Sequence, residues 1–278
     1  MWQVLEPLHA VTYFTPETRF ATEALGLRGS PMSYFGCRAA PLGAASPELV
    51  TATFYGFHPG LVDQTIPAAW SYAHPDLLVV ARLSGADIAL RRLLGDRCES
   101  AEMSEAAELA RTAALAAPIA GRPLAAANAA LRWPAEPHLV LWLASTVLRE
   151  SRGDVHVACL VACDIRPCES HVMLYAAGGP SADLLRAARG WSEQDWAAAA
   201  SRLTQRGWLS ETGLANDTGQ AVRNDTEART DDLSAAPWRA LGQYATGRLF
   251  ALAAGFSQVV VRGGGFPVPN AMGLEPPL

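Results

Sequence analysis

Proline residues stand at the starts of amphipathic segments along this chain, and glycine residues stand at their ends. Pro47 opens the segment ELVTATFYG, Pro59 opens GLVDQTI, and Pro75 opens a long segment that ends at Gly95. Proline suits the first turn of an α-helix because its missing N–H has no acceptor there, whereas glycine readily takes the backbone conformation that ends a helix. The sequence therefore predicts a mainly α-helical protein.

A stretch rich in proline, residues 118–137, separates two helical blocks. The Ala/Leu-rich segment from Glu102 to Ala117 precedes it and has the pattern of an amphipathic helix. The stretch itself predicts a short helix between loops. We therefore predict two domains, a helical N-terminal domain over residues 1–133 and a second domain over residues 134–278 that includes C-terminal helices and a docked tail.

The second domain begins with apolar segments. His138 to Arg149 and Asp154 to Cys163 predict two helices, and HVMLYAAGG predicts a third that ends at Gly178. The segments SADLLRAARG and WSEQDWAAAASRLTQRGWLS then predict two short helices joined at Gly190, which is the pattern of a helix-turn-helix.

Turn residues follow the second of these short helices. Thr212-Gly213 and Asn216-Asp217 predict a small β-hairpin before a long helix that starts at Thr218. A helix-turn-helix followed by a hairpin is a winged helix. The second domain is therefore predicted to be a winged helix-turn-helix with a small β-hairpin wing.

Several phrases of the sequence carry a resemblance to known proteins. SRLTQRGWLS and NDTGQAVRNDTEARTDDL resemble MarR-like regulators. LEPLHAVTYF, FGCRAAPLG, TATFYGFHP, LRESRGDVH, EARTDDLSAAPWRALG and FPVPNAMGL together resemble an actinobacterial family of helix-turn-helix proteins. Many of those proteins read EHRGDGH where this chain has Ser151 and Val155 in place of a histidine and a glycine. The resemblance implies a fold but little chemistry.

The charges argue against DNA as the main partner. The net charge is −5, and the N-terminal end of the second short helix carries Glu193 and Asp195, which repel phosphates. All 22 basic residues are arginines, because the sequence contains no lysine. Chemistry that needs a lysine Schiff base or a P-loop lysine is thereby excluded.

The stretch VLRESRGDVHVACL places four polar groups, Glu150, Arg152, Asp154 and His156, among apolar residues. One interpretation is a junction between helices, with Gly153 ending one helix and Asp154 capping the next. The other is a site in which Asp154 and Glu150 orient His156 as a general acid or base. The sequence has no GxSxG nucleophile.

Metal binding is a third interpretation of these residues. It would combine Glu150 and Asp154 with His171, or use Cys159, Cys163 and Cys168. Neither set has the spacing of a common metal motif, so we predict no metal and no cofactor.

Aromatic side chains are dense in the first domain, above all in TFYGFHP, and no single helix face could bury them all. We predict a cavity for a mostly apolar or aromatic metabolite, with a guanidinium available for an anionic group. The predicted ligand-binding residues are Arg152, Arg38, His9, Tyr13, Tyr55, Phe57, His58, Trp142 and His171.

The sequence thus favours a small-molecule binding protein built on a winged-helix scaffold, which would act, if it is an enzyme, in secondary metabolism by cofactor-free acid/base chemistry. One alternative is a MarR-like regulator that binds DNA as a homodimer, and another is a resistance protein that sequesters its ligand. No apolar run is long enough for a membrane span, and the first residues lack the pattern of a signal peptide. We therefore expect a cytoplasmic protein with no membrane partner.

Overall fold

The computed structural model of the chain describes residues 1–275. Those residues form sixteen α-helices and no β-strand, so the predicted mainly α-helical class is confirmed. Two short 3-10 turns, Ala40–Leu42 and Gly95–Glu99, also occur. The helices are α1 (Trp2–Phe14), α2 (Pro16–Glu23), α3 (Gly29–Ala39), α4 (Pro47–Phe54), α5 (Pro59–Asp63), α6 (Ile66–Tyr72), α7 (Pro75–Leu94), α8 (Ala101–Leu115), α9 (Pro123–Ala129), α10 (Pro137–Ala162), α11 (Pro167–Ala176), α12 (Ala182–Arg189), α13 (Glu193–Gln205), α14 (Asp217–Leu233), α15 (Ala236–Leu241) and α16 (Gln243–Arg262).

The prolines start helices as the sequence predicts. Ahead of α4, Ser46 accepts the N–H of Leu49 through its side chain. Ahead of α5, the Nδ1 atom of His58 accepts the N–H of Gly60 at 3.0 Å. These side chains satisfy backbone donors that have no partner within the first helical turn.

The long helix α10 lies at the centre of the molecule, where α1, α7, α8, α9 and α14 pack around it. It is one helix of 26 residues, so the predicted break at Gly153 is wrong. Glycine inside a helix costs about 1 kcal/mol relative to alanine, and the burial of the apolar residues along α10 offsets that cost. Asp154 consequently lies inside the helix and does not cap one that starts there.

The buried apolar residues within residues 1–275 form five clusters. The largest joins α1, α7, α8, α10 and α16 around the buried Trp142. The second contains Phe35, Phe54 and Phe57 from the aromatic N-terminal segments. The third joins α11 and α13 through Val172, Leu203 and their neighbours.

The predicted β-hairpin wing is absent from the described residues. Between α13 and α14, a single antiparallel bridge joins Leu209 and Ala215, and the N–H of Ser210 donates to Leu214 O at 2.8 Å. Asn216 caps α14 by accepting the N–H of Gly219, so the helix begins before a second pair of residues can form a ladder. The segment is therefore a tight turn.

The end of the described chain packs onto α1. Phe266 and Leu274 are buried against Ala10, and Asn270 accepts the N–H groups of Met272 and Leu274 through its side chain. The division of the chain at residue 133 stays a prediction, since α10 packs on helices from both sides of that boundary. No helix in residues 1–275 is long and apolar enough to cross a membrane.

The contact between α2 and α7 depends on Gly85. A Cβ atom there would lie 2.2 Å from Thr18 Oγ1 and 2.5 Å from Thr18 Cα.

We therefore expect Gly85→Ala to lower the free energy of unfolding by about 1–3 kcal/mol, because the backbone must move to admit the methyl group. Gly247→Ala is the matched control, since nothing lies within 4 Å of that position on α16. It should raise the free energy of unfolding by up to about 1 kcal/mol in urea titrations. Equal effects of the two substitutions would contradict the close contact.

Candidate functional site

A cavity of about 450 Å³ lies beside α10. One wall is formed by residues of α10, and others by the turn after α4, by α11, by α14 and by the segment that packs onto α1. Aromatic and apolar side chains such as Phe54, Phe57 and Met173 line it together with several arginines. Its size is typical of a small-molecule site.

A buried network of charges lies behind this cavity. Arg38 on α3 donates to both carboxylate oxygens of Glu150, each at 2.8 Å. Arg149 donates to Glu150 at 3.1 Å and to Glu6 on α1 at 3.3 Å. Burial by itself raises the pKa of Glu150, but the two guanidiniums hold that pKa well below its usual range. Glu150 is therefore a fixed anion and not a proton acceptor near neutral pH.

Asp154, one turn further along α10, contacts a different helix. Its Oδ2 atom accepts the N–H of Ala125 at 3.0 Å, in the first turn of α9. The carboxylate thus caps a helix, but the helix is distant in sequence. Burial raises the pKa of Asp154 to about 6, and the hydrogen bond from Ala125 opposes that rise.

Arg152 and His156, the other two of the four polar groups singled out in the sequence, face α14. Arg152 pairs with Glu227 and Asp231, each at 2.9 Å, and its guanidinium lies 4.7 Å from the ring centroid of Trp2. His156 shares a hydrogen bond of 3.1 Å with Thr230, and burial lowers the pKa of its imidazole. Within residues 1–275 no hydrogen bond joins His156 to Asp154 or Glu150. The predicted triad is therefore not a hydrogen-bonded unit.

The aromatic run after α4 connects the N-terminal helices to the short helices of the second half. We call residues Tyr55–His58 the junction turn. The carbonyl of Gly56 accepts hydrogen bonds from His171 Nε2 at 2.8 Å and from Trp191 Nε1 at 2.9 Å. Burial lowers the pKa of His171 to about 4. The neutral ring therefore donates from Nε2, because a carbonyl oxygen can only accept.

Two more contacts hold the junction turn in place. The N–H of His58 donates to the carbonyl of Arg189 at 2.9 Å, and the His58 ring lies edge-on to Trp191. The hydroxyl of Tyr55 donates to the carbonyl of Ile165. The turn is thus bonded to three segments of the second half of the chain.

The predicted residues fall into two groups. Those lining the cavity are Arg38, Arg152, Tyr55, Phe57, His156 and His171. The others lie outside its lining, namely His9, Tyr13, His58, Trp142, Glu150 and Asp154. His9 and Trp142 are buried in the helical core, where His9 bonds to Thr146 and the Trp142 indole donates to the carbonyl of His9. Tyr13 lines a separate and smaller cavity.

Arginines that sequence reasoning missed complete the cavity wall. Arg149, Arg189 and Arg223 all line it. Arg189 and Arg223 each lie on a helix whose pattern fits a solvated arginine equally well, so the sequence held no signal for them. Within residues 1–275 no group of three or more His, Cys, Asp or Glu side chains is placed to hold a metal ion.

The short helices after α11 have the arrangement expected of a helix-turn-helix. Gly190, at φ 78°, ends α12, and α13 begins three residues later at Glu193. Asp195 forms a capping box with Ser192, so its carboxylate serves the helix start. Ala199 and Leu203 are buried, whereas the opposite face of α13 is exposed.

The model of a helix-turn-helix family matches residues 1–267. The chain belongs to this helix-turn-helix family. The match supports the helix-turn-helix predicted from sequence. The actinobacterial origin and the likeness to MarR regulators stay predictions. No curated protein and no solved structure matches the chain.

The raised pKa of Asp154 predicts how stability depends on pH. The folded protein keeps the proton up to about pH 6, whereas an unperturbed carboxyl of this type releases it near 3.8. Between those values the folded state binds more protons, so this group's stabilisation is lost as the pH rises. Asp154→Asn removes the titration and keeps an oxygen acceptor for Ala125.

We therefore expect the wild type to lose more of its melting temperature than Asp154→Asn between about pH 4 and about pH 7. Thermal unfolding followed by circular dichroism would measure the difference. Asp63→Asn, at an exposed position on α5, is the matched control and should follow the wild type. Parallel curves for Asp154→Asn and the wild type would contradict the assignment.

Proposed function

We propose that this protein is a transcriptional regulator that binds duplex DNA through α13 and changes its affinity for DNA when a small molecule occupies the cavity. This proposal adopts the alternative of a DNA-binding regulator that the sequence leaves open, in place of a small-molecule binding protein that has lost DNA binding. By analogy with other helix-turn-helix proteins, two copies would bind two half-sites one helical turn apart.

DNA binding is supported by the solvent-exposed face of α13 in a chain that belongs to a helix-turn-helix family. The exposed residues of that face are polar or small, and they include Gln194, Ala197, Ala198 and Ser201. Side chains of this kind can approach base edges in a major groove. Arg202 and Arg206 add little to phosphate binding, since Arg202 pairs with Glu169 and Arg206 donates to the carbonyls of Cys163 and Asp164.

Support for control by a ligand comes from the junction turn. Its Gly56 carbonyl is bonded both to α11 and to the turn between α12 and α13, and Gly56 also lines the cavity. A molecule that moves this turn would shift the helix-turn-helix with it. Such a ligand changes DNA affinity only to the extent that it prefers one of the two arrangements.

The cavity also supports a second candidate function, a protein that binds a metabolite without any role for DNA. In that case the protein would either sequester the molecule, as a resistance protein does, or convert it by acid/base chemistry. His156 is the candidate base, because it lines the cavity and burial favours its neutral form. Consumption of a bound metabolite, lost in His156→Ala, would favour this candidate.

Glu193 provides the test of DNA binding. Its carboxylate is 88% exposed at the start of α13 and pairs with Arg186 at 3.3 Å. Glu193→Arg replaces a charge that repels phosphate with one that can contact it. We expect it to tighten binding about tenfold at low salt and to steepen the salt dependence by about one phosphate contact.

The measurement is a mobility shift or fluorescence anisotropy titration with a duplex of about 30 base pairs, long enough for two half-sites. Glu108→Arg changes the net charge equally but lies on α8, at an exposed position. This control should bind as the wild type does. If neither the wild type nor Glu193→Arg shifts the duplex at low salt, the proposal that this protein binds DNA is wrong.

A further inference from the structure

We infer that the cavity binds an organic anion whose acidic group is held by Arg189, the last residue of α12, and whose apolar body lies against the aromatic wall. This inference rests on the proposed function, because it names the class of ligand for the same cavity. The guanidinium proposed here differs from those of Arg38 and Arg152, which the sequence predicts for the anion.

Three other arginines of the cavity wall, Arg38, Arg149 and Arg152, are already paired with carboxylates. Arg38 and Arg149 share Glu150, and Arg149 also pairs with Glu6. Carboxylates of α14, Glu227 and Asp231, occupy Arg152. A ligand that used Arg38 or Arg149 would have to displace the buried Glu150 or Glu6, which is costly, and one that used Arg152 would compete with two carboxylates already in contact with it.

Arg223 is also unsuited to hold the anion. It is paired with Glu227, at 4.0 Å and one helical turn away. That carboxylate lines the cavity beside it and would repel an incoming anion.

Arg189 differs from all of these. Within residues 1–275 it forms no ion pair, and its Nε atom is buried without a hydrogen-bond partner. Its guanidinium lies 4.5 Å from the ring centroid of Phe57, and a hydrogen bond with the side chain of Tyr34 favours its charged form. Burial and the nearby Arg38 and Arg149 lower its pKa. A half-buried guanidinium with a buried, unpartnered Nε atom and no described carboxylate in contact gains from a carboxylate, sulfonate or phosphate partner.

Positive charges outnumber negative charges around the cavity, which also favours an anionic ligand. Five arginines line it, whereas Glu227 is the one carboxylate among the described lining residues. Three further carboxylates pair with these arginines from behind, namely Glu6, Glu150 and Asp231. One positive charge remains in excess, and Arg189 carries it. A monoanion would neutralise the cavity.

The remaining wall suits an apolar body. Trp2, Phe54, Phe57, Leu160 and Met173 contribute aromatic and aliphatic surface to the cavity. The volume of about 450 Å³ admits a molecule of two or three fused or linked rings. An inorganic anion would leave most of this surface wet, so the matching ligand combines a ring system with one acidic group.

Arg189 also explains how such a ligand would reach the helix-turn-helix. The residue ends α12, and Gly190 and the start of α13 follow directly. Its carbonyl accepts the N–H of His58 in the junction turn. An anion bound between Arg189 and the aromatic wall would therefore fix α12 relative to the N-terminal helices. Binding of the anion and binding of DNA would then be coupled through α12.

A pair of fluorescent probes that differ in one charge tests the inference. 1-Anilinonaphthalene-8-sulfonate is an aromatic anion, and N-phenyl-1-naphthylamine is the same ring system without the sulfonate. Each is titrated into the full chain and into Arg189→Met, Arg189→Lys and Arg186→Met. Arg186 lies one turn earlier on α12, pairs with Asp183 and Glu193, and is absent from the described cavity lining, so it is the matched control.

We expect saturable one-to-one binding of the sulfonate probe to the wild type. Arg189→Met should weaken that binding about tenfold or more, as expected for the loss of a charge-assisted hydrogen bond. Arg189→Lys should retain part of it, because the charge remains while the planar fork is lost. The neutral probe should bind all four proteins equally, and Arg186→Met should match the wild type with both probes.

The inference is overturned if the sulfonate probe shows no saturable binding to the wild type, or if Arg189→Met leaves it unchanged. It is also overturned if Arg189→Met weakens both probes equally while its melting curve matches that of the wild type. Where Arg189→Met does not fold, Arg189→Lys decides by the same comparison of the two probes. Failure of the proposed DNA binding is a separate result, since it appears in the Glu193→Arg titration without any probe.

Discussion

The buried network of Glu6, Arg38, Arg149 and Glu150 is the interaction on which the rest of the structure depends. It joins α1, α3 and α10, and each charge is stabilised by an opposite charge in contact with it. A buried ion pair adds little net stability over apolar packing, but removing one partner typically costs about 3–5 kcal/mol. The network therefore determines which arrangement of α1, α3 and α10 is stable more than it adds to the free energy of unfolding. It requires α3 to lie against one turn of α10, and the cavity lies beside that turn.

The four polar groups of α10 are neither a junction between helices nor a catalytic group with shared hydrogen bonds. Glu150 and Asp154 are four residues apart and contact α3 and α9, whereas Arg152 and His156 are also four apart and contact α14. Residues at this spacing share a helix face. The stretch therefore forms two polar stripes along one continuous helix, and each stripe meets a different part of the fold.

The starts of the helices could be predicted from sequence because the signals are local. Pro47, Pro59 and Pro75 each begin a helix, and Gly190 ends α12 in the left-handed conformation. The predicted break at Gly153 is wrong. A glycine there favours the end of a helix, but residues before and after it are buried by tertiary contacts that keep α10 continuous. The partners of Asp154 and Arg189 were beyond local reasoning, because each lies far away in the sequence. The aromatic residues predict the cavity, whereas the guanidinium of Arg189, which has no carboxylate partner in residues 1–275, could be recognised only from the ion pairs of the other arginines in the folded chain.

The hydrogen bond from His171 to Gly56 has a consequence when the surroundings of the protein become more acidic. Histidines at interfaces commonly act as proton sensors, because their ordinary pKa lies close to physiological pH. The pKa of His171 is lowered to about 4, so this imidazole stays uncharged when the surroundings turn mildly acidic. The hydrogen bond from His171 to Gly56, which joins the two halves of the molecule, therefore persists in mildly acidic surroundings.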